Sequence, residues 1–201
     1  MGKLDINKKA KEDSLLATAY RLFTTKGVSK TSVSDITGDA GVAKGTFYLY
    51  FKDKYDLKNR LVAHRSSILF KNALNDLEKN GKELTYNEKI IFVTDNILTQ
   101  LESNKALLTF ISKNLSWGVF KSAITSPPRG DDVDFKSIYE ALISDAPGNL
   151  EEPEIMLFMI VELVSSTCYS AILYEEPAPL SKLKPHLYRC VNDMINSHIK
   201  K

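Results

Sequence analysis

The chain has 201 residues, 43% of them hydrophobic and 26% charged, with a net charge of +2 at pH 7. It is long enough for a sizeable core in one large or two small domains. Two cysteines, Cys168 and Cys190, are too few for a disulfide framework and are expected to be small buried residues. The N-terminus shows no apolar signal region, and the apolar run 155–164 is too short to span a bilayer and contains Glu162. These features predict a soluble, cytoplasmic protein without a membrane partner.

Apolar residues recur at helical spacing along almost the whole chain, and no alternating pattern is long enough to indicate strands. The sequence therefore predicts an all-α fold. Thr85 and Glu88 form a capping box, the prolines within 125–131 interrupt the helical pattern, and Pro153 is well placed to open a helix. The predicted helices cover about 7–26, two short segments between 32 and 51, then 54–80, 85–101, 104–120, 132–144, 153–175 and 182–199, the last with Pro185 in its first turn.

The most informative segment is 31–57, which has the sequence form of a helix-turn-helix. Ser32, with Asp35 three residues later, predicts the N-terminal cap of its first helix. Gly41 lies where the chain must reverse, a position at which positive φ is readily adopted only by glycine. Val33, Ile36 and Ala40 fall at helical spacing and are predicted to face a core.

The second helix of this unit, predicted from Ala43 to Phe51, is the candidate recognition helix. Phe47 and Phe51 lie four residues apart and are expected to anchor it inward. Recognition helices present their N-terminal residues to base edges, and nearby lysine, tyrosine and hydroxyl groups contact phosphates. The predicted DNA-binding residues are accordingly Thr31, Ser32, Lys44, Gly45, Thr46, Tyr48, Tyr50, Lys52 and Lys54, with Lys44, Thr46 and Tyr48 toward bases and Thr31, Tyr50 and Lys54 toward phosphates.

Charge is distributed unevenly along the chain. Residues 1–65 hold 13 Lys or Arg against 7 Asp or Glu, a balance of +6, whereas the remainder holds 14 against 18, a balance of −4. A basic N-terminal part on an acidic remainder suits a protein that meets phosphate at one end only.

The segment resembles the DNA-binding domain of the TetR family of bacterial transcriptional regulators. The resemblance lies in Thr31 at the start of the first helix, the turn 40–42 (Ala-Gly-Val), the run 44–51 (KGTFYLYF) and the following Lys54 and Leu57. Ala43 departs from the pattern, because the family usually has a side-chain cap there. The resemblance implies a three-helix DNA-binding domain over 1–53 and an all-helical effector-binding and dimerisation domain over 54–201, linked by the long helix that begins near Lys54.

The resemblance also implies a homodimer formed through the last two helices. The helix 153–175 is apolar nearly all round, so it must be covered on more than one side. A second subunit would supply the cover and would present two recognition helices to successive major grooves. The last helix offers a matching apolar stripe made of Leu183, Leu187, Cys190, Val191, Met194 and Ile195.

A small-molecule effector is the second implied partner. Aromatic surface with a few polar anchors is typical of small-molecule pockets, and a carboxylate on an apolar helix must be paired, solvated or at an interface. Taken singly, Trp117 and the phenylalanines are more typical of a plain core than of a pocket. The predicted ligand-binding residues are Phe110, Asn114, Trp117, Phe120, Tyr139, Glu162 and Tyr169.

Catalysis is not indicated. His64, His186 and His198 lack metal-ligand spacing with one another or with the cysteines, and no nucleophile motif is present. The sequence therefore predicts no catalytic residue, no metal site and no cofactor. It predicts a repressor that binds a palindromic operator as a homodimer and is released by a small molecule. An architectural DNA-binding dimer without an effector remains the alternative.

Overall fold

The protein is described by a computed structural model, which covers residues 3–114 and 135–200. Within these residues the regular structure is helical apart from one isolated bridge between Leu150 and Ile199, which confirms the all-α prediction. The helices are α1 (Lys3–Thr25), α2 (Val33–Asp39), α3 (Lys44–Phe47), α4 (Lys54–Asn80), α5 (Tyr86–Ser103), α6 (Lys105–Asn114), α7 (Phe135–Ser144), α8 (Pro153–Tyr174) and α9 (Leu180–Ser197).

The chain forms two compact units, residues 1–63 and 64–201. The division falls inside α4, so this one helix contributes residues to both units. The sequence placed a boundary before Lys54, whereas in the structure the first turns of α4 belong to the first unit.

Local signals set the helix ends in the way the sequence predicts. The Ser32 hydroxyl accepts a hydrogen bond from the Asp35 N–H at 3.0 Å, and the Asp35 carboxylate accepts one from the Ser32 N–H at 2.8 Å. The predicted capping box of Thr85 and Glu88 is likewise present at the start of α5. Gly41 has a φ of +66°, which confirms the turn predicted between α2 and α3.

The first unit is built on a small apolar core. Apolar side chains of α1, α2, the α3 segment and the start of α4 are buried in it, and α2 packs against both α1 and α3. Removing such side chains from water is the main contribution to stability in a domain of this size. The core consists of Leu15, Ala19, Leu22, Phe23, Ile36, Phe47, Phe51, Leu57, Leu61 and Val62.

The second unit is organised around α8, which packs against α5, α6 and α9. Buried side chains from α5, α8 and α9 form one core cluster: Tyr86, Ile90, Met156, Leu157, Ile160, Val191 and Ile195. Asn87 on α5 donates a hydrogen bond to the side-chain oxygen of Asn192 on α9 at 2.7 Å, which fixes the register of these two helices.

One face of α8 is left exposed. Ile155 and Met159 lie one helical turn apart and are 49% and 40% exposed. By length and composition alone α8 could cross a membrane, which the sequence analysis did not anticipate. Core helices of soluble proteins pass the same test, and α8 packs against three helices of its own chain. The apolar strip that Ile155 and Met159 expose on α8 is therefore better explained by something other than a membrane span.

The last helix differs from the sequence expectation in three ways. It begins at Leu180, so Pro185 lies beyond the first turn. Cys190 is exposed rather than buried, whereas Cys168 is buried as predicted. Leu187, Val191 and Ile195, predicted as part of a stripe facing a partner, are buried within the chain. The helical spacing of apolar residues identifies an apolar face, but it does not show which part of the molecule or which partner covers that face.

Asp95 on α5 ties this helix to α9. Its carboxylate accepts hydrogen bonds from Lys184 Nζ at 2.6 Å and from the Tyr188 hydroxyl. Burial opposes ionisation of this carboxyl, but the two hydrogen bonds and the Lys184 charge outweigh it, so the pKa of Asp95 is lowered from 3.8.

We predict that Asp95→Asn lowers the stability of the protein by about 1 kcal/mol at pH 7, since the lost charge-assisted bonds are half-exposed. Because the folded-state pKa is depressed, this contribution is complete above the unfolded-state value and disappears as pH falls through the folded-state value. Thermal melts followed by circular dichroism should show a wild-type advantage at pH 7 that closes below about pH 4. Asp193→Asn, at an exposed position of α9, is the control, and an equal pH profile for both variants would contradict the prediction.

Candidate nucleic-acid interface and internal cavity

The α3 segment is held in place by two buried rings. Phe47 and Phe51 are buried in the first unit with their ring centroids 5.5 Å apart. Ala43 caps the segment without a side-chain hydrogen bond, as its residue type predicts. The regular helix is shorter than predicted, ending at Phe47 and continuing as turns to Tyr50. The two phenylalanines thus determine which side of the segment faces outward.

The outward side carries the residues predicted to meet bases. Lys44, Gly45 and Tyr48 are exposed, and Thr46 is partly exposed. The Tyr48 ring is 53% exposed and packs edge-on against Phe47, with 5.3 Å between ring centroids. This contact holds an amphipathic side chain at the surface of the unit.

Lys54 has a structural role rather than the predicted phosphate contact. Its Nζ donates to the carbonyl oxygens of Val28 at 2.9 Å, Ser29 at 3.2 Å and Thr31 at 2.8 Å. A lysine ammonium has three N–H donors, so all of them are engaged inside the unit. Lys54 therefore fastens the loop between α1 and α2 to the start of α4.

Two further predicted phosphate contacts are also turned inward. Thr31 is buried, and its hydroxyl donates to the Gly27 carbonyl oxygen at 2.8 Å. The Tyr50 hydroxyl donates to the Lys8 carbonyl oxygen at 3.0 Å, and burial, with a smaller effect of the Glu12 charge, raises the pKa of Tyr50. Each hydroxyl has a single proton to donate, so neither side chain is free to donate to a phosphate.

Ser32 and Lys52 remain exposed at the edges of this surface. Two exposed side chains were not assigned a role from the sequence: Leu49, 76% exposed, and Tyr55, 54% exposed. The spacing of Leu49, two residues from each anchoring phenylalanine, was the available signal, because such a position lies on the opposite side of a helical turn. The exposed or partly exposed residues of the candidate DNA-binding surface are thus Ser32, Lys44, Gly45, Thr46, Tyr48, Leu49, Lys52 and Tyr55.

The second unit contains a partly open internal cavity of about 100 Å³. Among the described residues, five helices contribute to its lining: Ser66, Leu69 and Phe70 of α4; Ile90, Val93, Thr94, Ile97, Leu98 and Leu101 of α5; Leu108, Ile111 and Ser112 of α6; Leu142 of α7; and Leu157, Ile160, Val161, Val164, Ser165 and Cys168 of α8. Burial raises the pKa of the Cys168 thiol, with smaller opposing effects of Thr167 and Lys184. The lining from the described residues is therefore uncharged at neutral pH.

The residues predicted to bind a ligand are placed differently from this lining. Phe110 is buried, Tyr139 and Tyr169 are partly buried, and Glu162 is exposed on α8; none of the four lines the cavity. Trp117 and Phe120 lie outside the described residues, as does the side chain of Asn114. A contact between these residues and a ligand stays a prediction.

The first unit matches the sequence model of the bacterial regulatory proteins, tetR family, over residues 15–61. The uncharacterized HTH-type transcriptional regulator YuxN of Bacillus subtilis is 32% identical over 111 residues, which cover 55% of this chain and 36% of YuxN. The HTH-type transcriptional regulator AcrR of Shigella flexneri is 51% identical over 43 residues, covering 21% of this chain and 20% of AcrR. The chain thus spans about a third of YuxN and a fifth of AcrR.

Solved structures show the same fold along most of the chain. FadR from Bacillus subtilis, solved in complex with stearoyl-CoA, superposes with a TM-score of 0.61 at 18% identity, covering 90% of this chain and 98% of FadR. A TetR family transcription regulator from Marinobacter aquaeolei VT8 has a TM-score of 0.60 at 14% identity, covering 95% of this chain and 98% of that one. At these identities the likeness concerns the fold alone.

We predict that Lys54→Met destabilises the first unit by roughly 2 kcal/mol, because three carbonyl oxygens of the 28–31 loop lose a charged donor. Lys52→Met is the matched control, since Lys52 is the neighbouring exposed lysine and should leave stability unchanged. Urea unfolding followed by circular dichroism measures both. Equal midpoints for Lys54→Met and the wild type would contradict the structural role.

Proposed function

We infer that this chain, which belongs to the TetR family of bacterial regulatory proteins, is a transcription regulator, rather than an enzyme, that binds double-stranded DNA through its first unit. The observation that carries the inference is the α3 segment, where buried Phe47 leaves Lys44, Gly45 and Tyr48 exposed together. Such a short exposed set on a helix-turn-helix is the arrangement that reads base edges in the major groove. Because its relatives are transcription regulators, we place the protein in the cytoplasm.

Within the exposed set, chemistry separates the roles. Lys44 can donate to the O6 and N7 atoms of guanine, and the methyl group of Thr46 can meet thymine. Gly45 has no Cβ, so the backbone can approach the groove closely, and no described atom lies within 4 Å of the place that a Cβ would take. Lys52 and Ser32 take the phosphate contacts, in place of Lys54, Thr31 and Tyr50, whose donors are engaged inside the unit.

We propose that the regulator acts as a homodimer through α8 and the exposed face of α9. Ile155 and Met159 expose large apolar side chains on one face of α8, the helix on which the second unit is organised. Contiguous exposed apolar surface of this kind favours burial against a partner. A twofold dimer presents two recognition segments to DNA and therefore selects a palindromic site.

The cavity supports a small-molecule effector rather than an architectural role. It lies in the second unit and is lined in part by α4, the helix that also contributes to the DNA-binding unit. We propose that a bound effector favours a different setting of α4, which changes the separation of the two DNA-binding units in the dimer and releases the operator. Repression with release on effector binding is the mode that we propose.

The DNA-binding proposal is tested by selecting duplexes from a random library with the wild-type protein and measuring affinities by fluorescence anisotropy. Lys44→Ala and Tyr48→Ala should each weaken binding to the selected duplex about tenfold or more, because each removes a base contact. Lys52→Ala should weaken all duplexes alike and reduce the salt slope by about 1, the effect of one lost phosphate contact.

Lys105→Ala, an exposed lysine of the second unit, is the control and should retain wild-type affinity and salt dependence. Wild-type protein that retains no duplex at low ionic strength would overturn the proposed function. Unchanged affinity in Lys44→Ala and Tyr48→Ala would remove these two residues from the interface.

The dimer is tested by placing a charge on the exposed apolar strip. Met159→Glu should shift the protein from dimer to monomer in analytical ultracentrifugation and, with it, abolish tight binding to the selected duplex, because a buried unpaired carboxylate is costly. Asn75→Asp adds the same charge at an exposed position of α4 and should leave the dimer intact. A dimeric Met159→Glu variant would show that α8 does not form the interface.

A further inference from the structure

Ser66 is the unusual residue of the cavity. It lies on α4, is only 4% exposed, and its hydroxyl oxygen has no hydrogen-bond partner among the described residues. Helical serines commonly donate to a carbonyl oxygen one turn earlier, as the neighbouring Ser67 does to the His64 carbonyl at 2.8 Å. A buried hydroxyl without a partner is unfavourable, and it lines the cavity.

Besides Ser66, the polar side chains of the described lining are Thr94, Ser112, Ser165 and Cys168. The Thr94 hydroxyl donates to the Ile90 carbonyl oxygen at 2.8 Å, and the Ser165 hydroxyl donates to the Glu162 carbonyl oxygen at 3.3 Å. The remaining described lining is overwhelmingly aliphatic and carries no charged side chain. An ionised ligand would lose its hydration there without a counter-charge in return, which excludes a charged group from this part of the cavity.

We propose that the cavity binds an uncharged, mainly apolar small molecule whose single hydrogen-bonding group meets the Ser66 hydroxyl. The proposal rests on the proposed function and names the chemical class of its effector. An apolar cavity of about 150 Å³ accommodates benzene. In proportion, a cavity of about 100 Å³ holds roughly four heavy atoms, and because it is partly open it accommodates a short alcohol whose chain end extends beyond it.

The test is carried out on the whole protein in the absence of DNA. It compares the binding of three probes whose carbon chains are of equal length. 1-Pentanol is uncharged, pentanoate is an anion at pH 7, and 1-pentylamine is a cation. Affinities are measured by ligand-observed NMR titration. We expect 1-pentanol to bind at least about tenfold more tightly than either charged probe, because only the charged probes must be desolvated without a counter-charge.

Ser66→Ala should weaken 1-pentanol binding by about threefold to tenfold, the range for a single neutral hydrogen bond. Ser67→Ala is the matched control: it is the adjacent buried serine of α4 and does not line the cavity, so it should leave the affinity unchanged. The two substitutions should affect the ligand-free melting temperature differently. Ser66→Ala should leave the melting temperature unchanged or raise it, because an unsatisfied hydroxyl is removed. Ser67→Ala should lower the melting temperature, because a hydrogen bond is lost.

Several results would overturn the inference. These are equal binding of pentanoate and 1-pentanol, no binding of any probe, unchanged 1-pentanol affinity in Ser66→Ala, or a lowered melting temperature in Ser66→Ala. Binding of stearoyl-CoA in preference to 1-pentanol would also overturn it, since the cavity would then serve a long charged ligand. The duplex selection is independent of these measurements, so failure of DNA binding would contradict the proposed function while leaving the probe results intact.

Discussion

The burial of Phe47 and Phe51 is the constraint on which the proposed interface depends. The helical part of the α3 segment is four residues long, and helices shorter than about 12 residues are marginal in water. The segment therefore owes its conformation to tertiary packing rather than to its own propensity. Because the two rings fill the core of the first unit, Lys44, Gly45, Tyr48 and Leu49 are left facing solvent. A polar substitution at either phenylalanine would remove the packing that holds all of these exposed residues in position.

Lys54 shows why a basic residue in a DNA-binding segment is hard to assign from sequence. A lysine ammonium can donate hydrogen bonds either to phosphates or to carbonyl oxygens, so the residue type alone does not show which acceptor it has. One physical signal was available: Lys54 is the first residue of α4, where a cation opposes the helix dipole. A lysine in this position gains from a local set of acceptors, and the loop carbonyls of residues 28–31 supply them. The same holds for Thr31 and Tyr50, which were also predicted on phosphates. Their hydroxyls donate to carbonyl oxygens of the first unit instead.

Sequence reasoning succeeded where the cause of a structure is local. The caps at Ser32 and Thr85, the turn at Gly41 and the full extent of α4 each depend on residues within a few positions of one another. It failed where the cause is long-range. The part of the cavity lining that the structure describes comes from five helices, so no single periodic pattern could reveal that Ser66 belongs to it or that Glu162 does not. The apolar face of α9 illustrates the same limit. Its residues were recognised as apolar at helical spacing, but Leu187, Val191 and Ile195 are buried within their own chain rather than left for a partner.

The size of the cavity also bounds how strongly an effector could act. A ligand shifts a conformational equilibrium only by its difference in affinity for the two states. Couplings between sites are typically about 5-fold to 150-fold, and a ligand of a few heavy atoms with one hydrogen bond belongs at the lower end of that range. In a homodimer, however, each subunit carries its own cavity, and the two contributions multiply when both subunits must hold the DNA together. A coupling of about tenfold in each subunit thus becomes about a hundredfold for the dimer, since the free energies add. Dimerisation through α8 would therefore allow a small uncharged ligand, acting through α4 of each subunit, to release an operator that neither subunit could release alone.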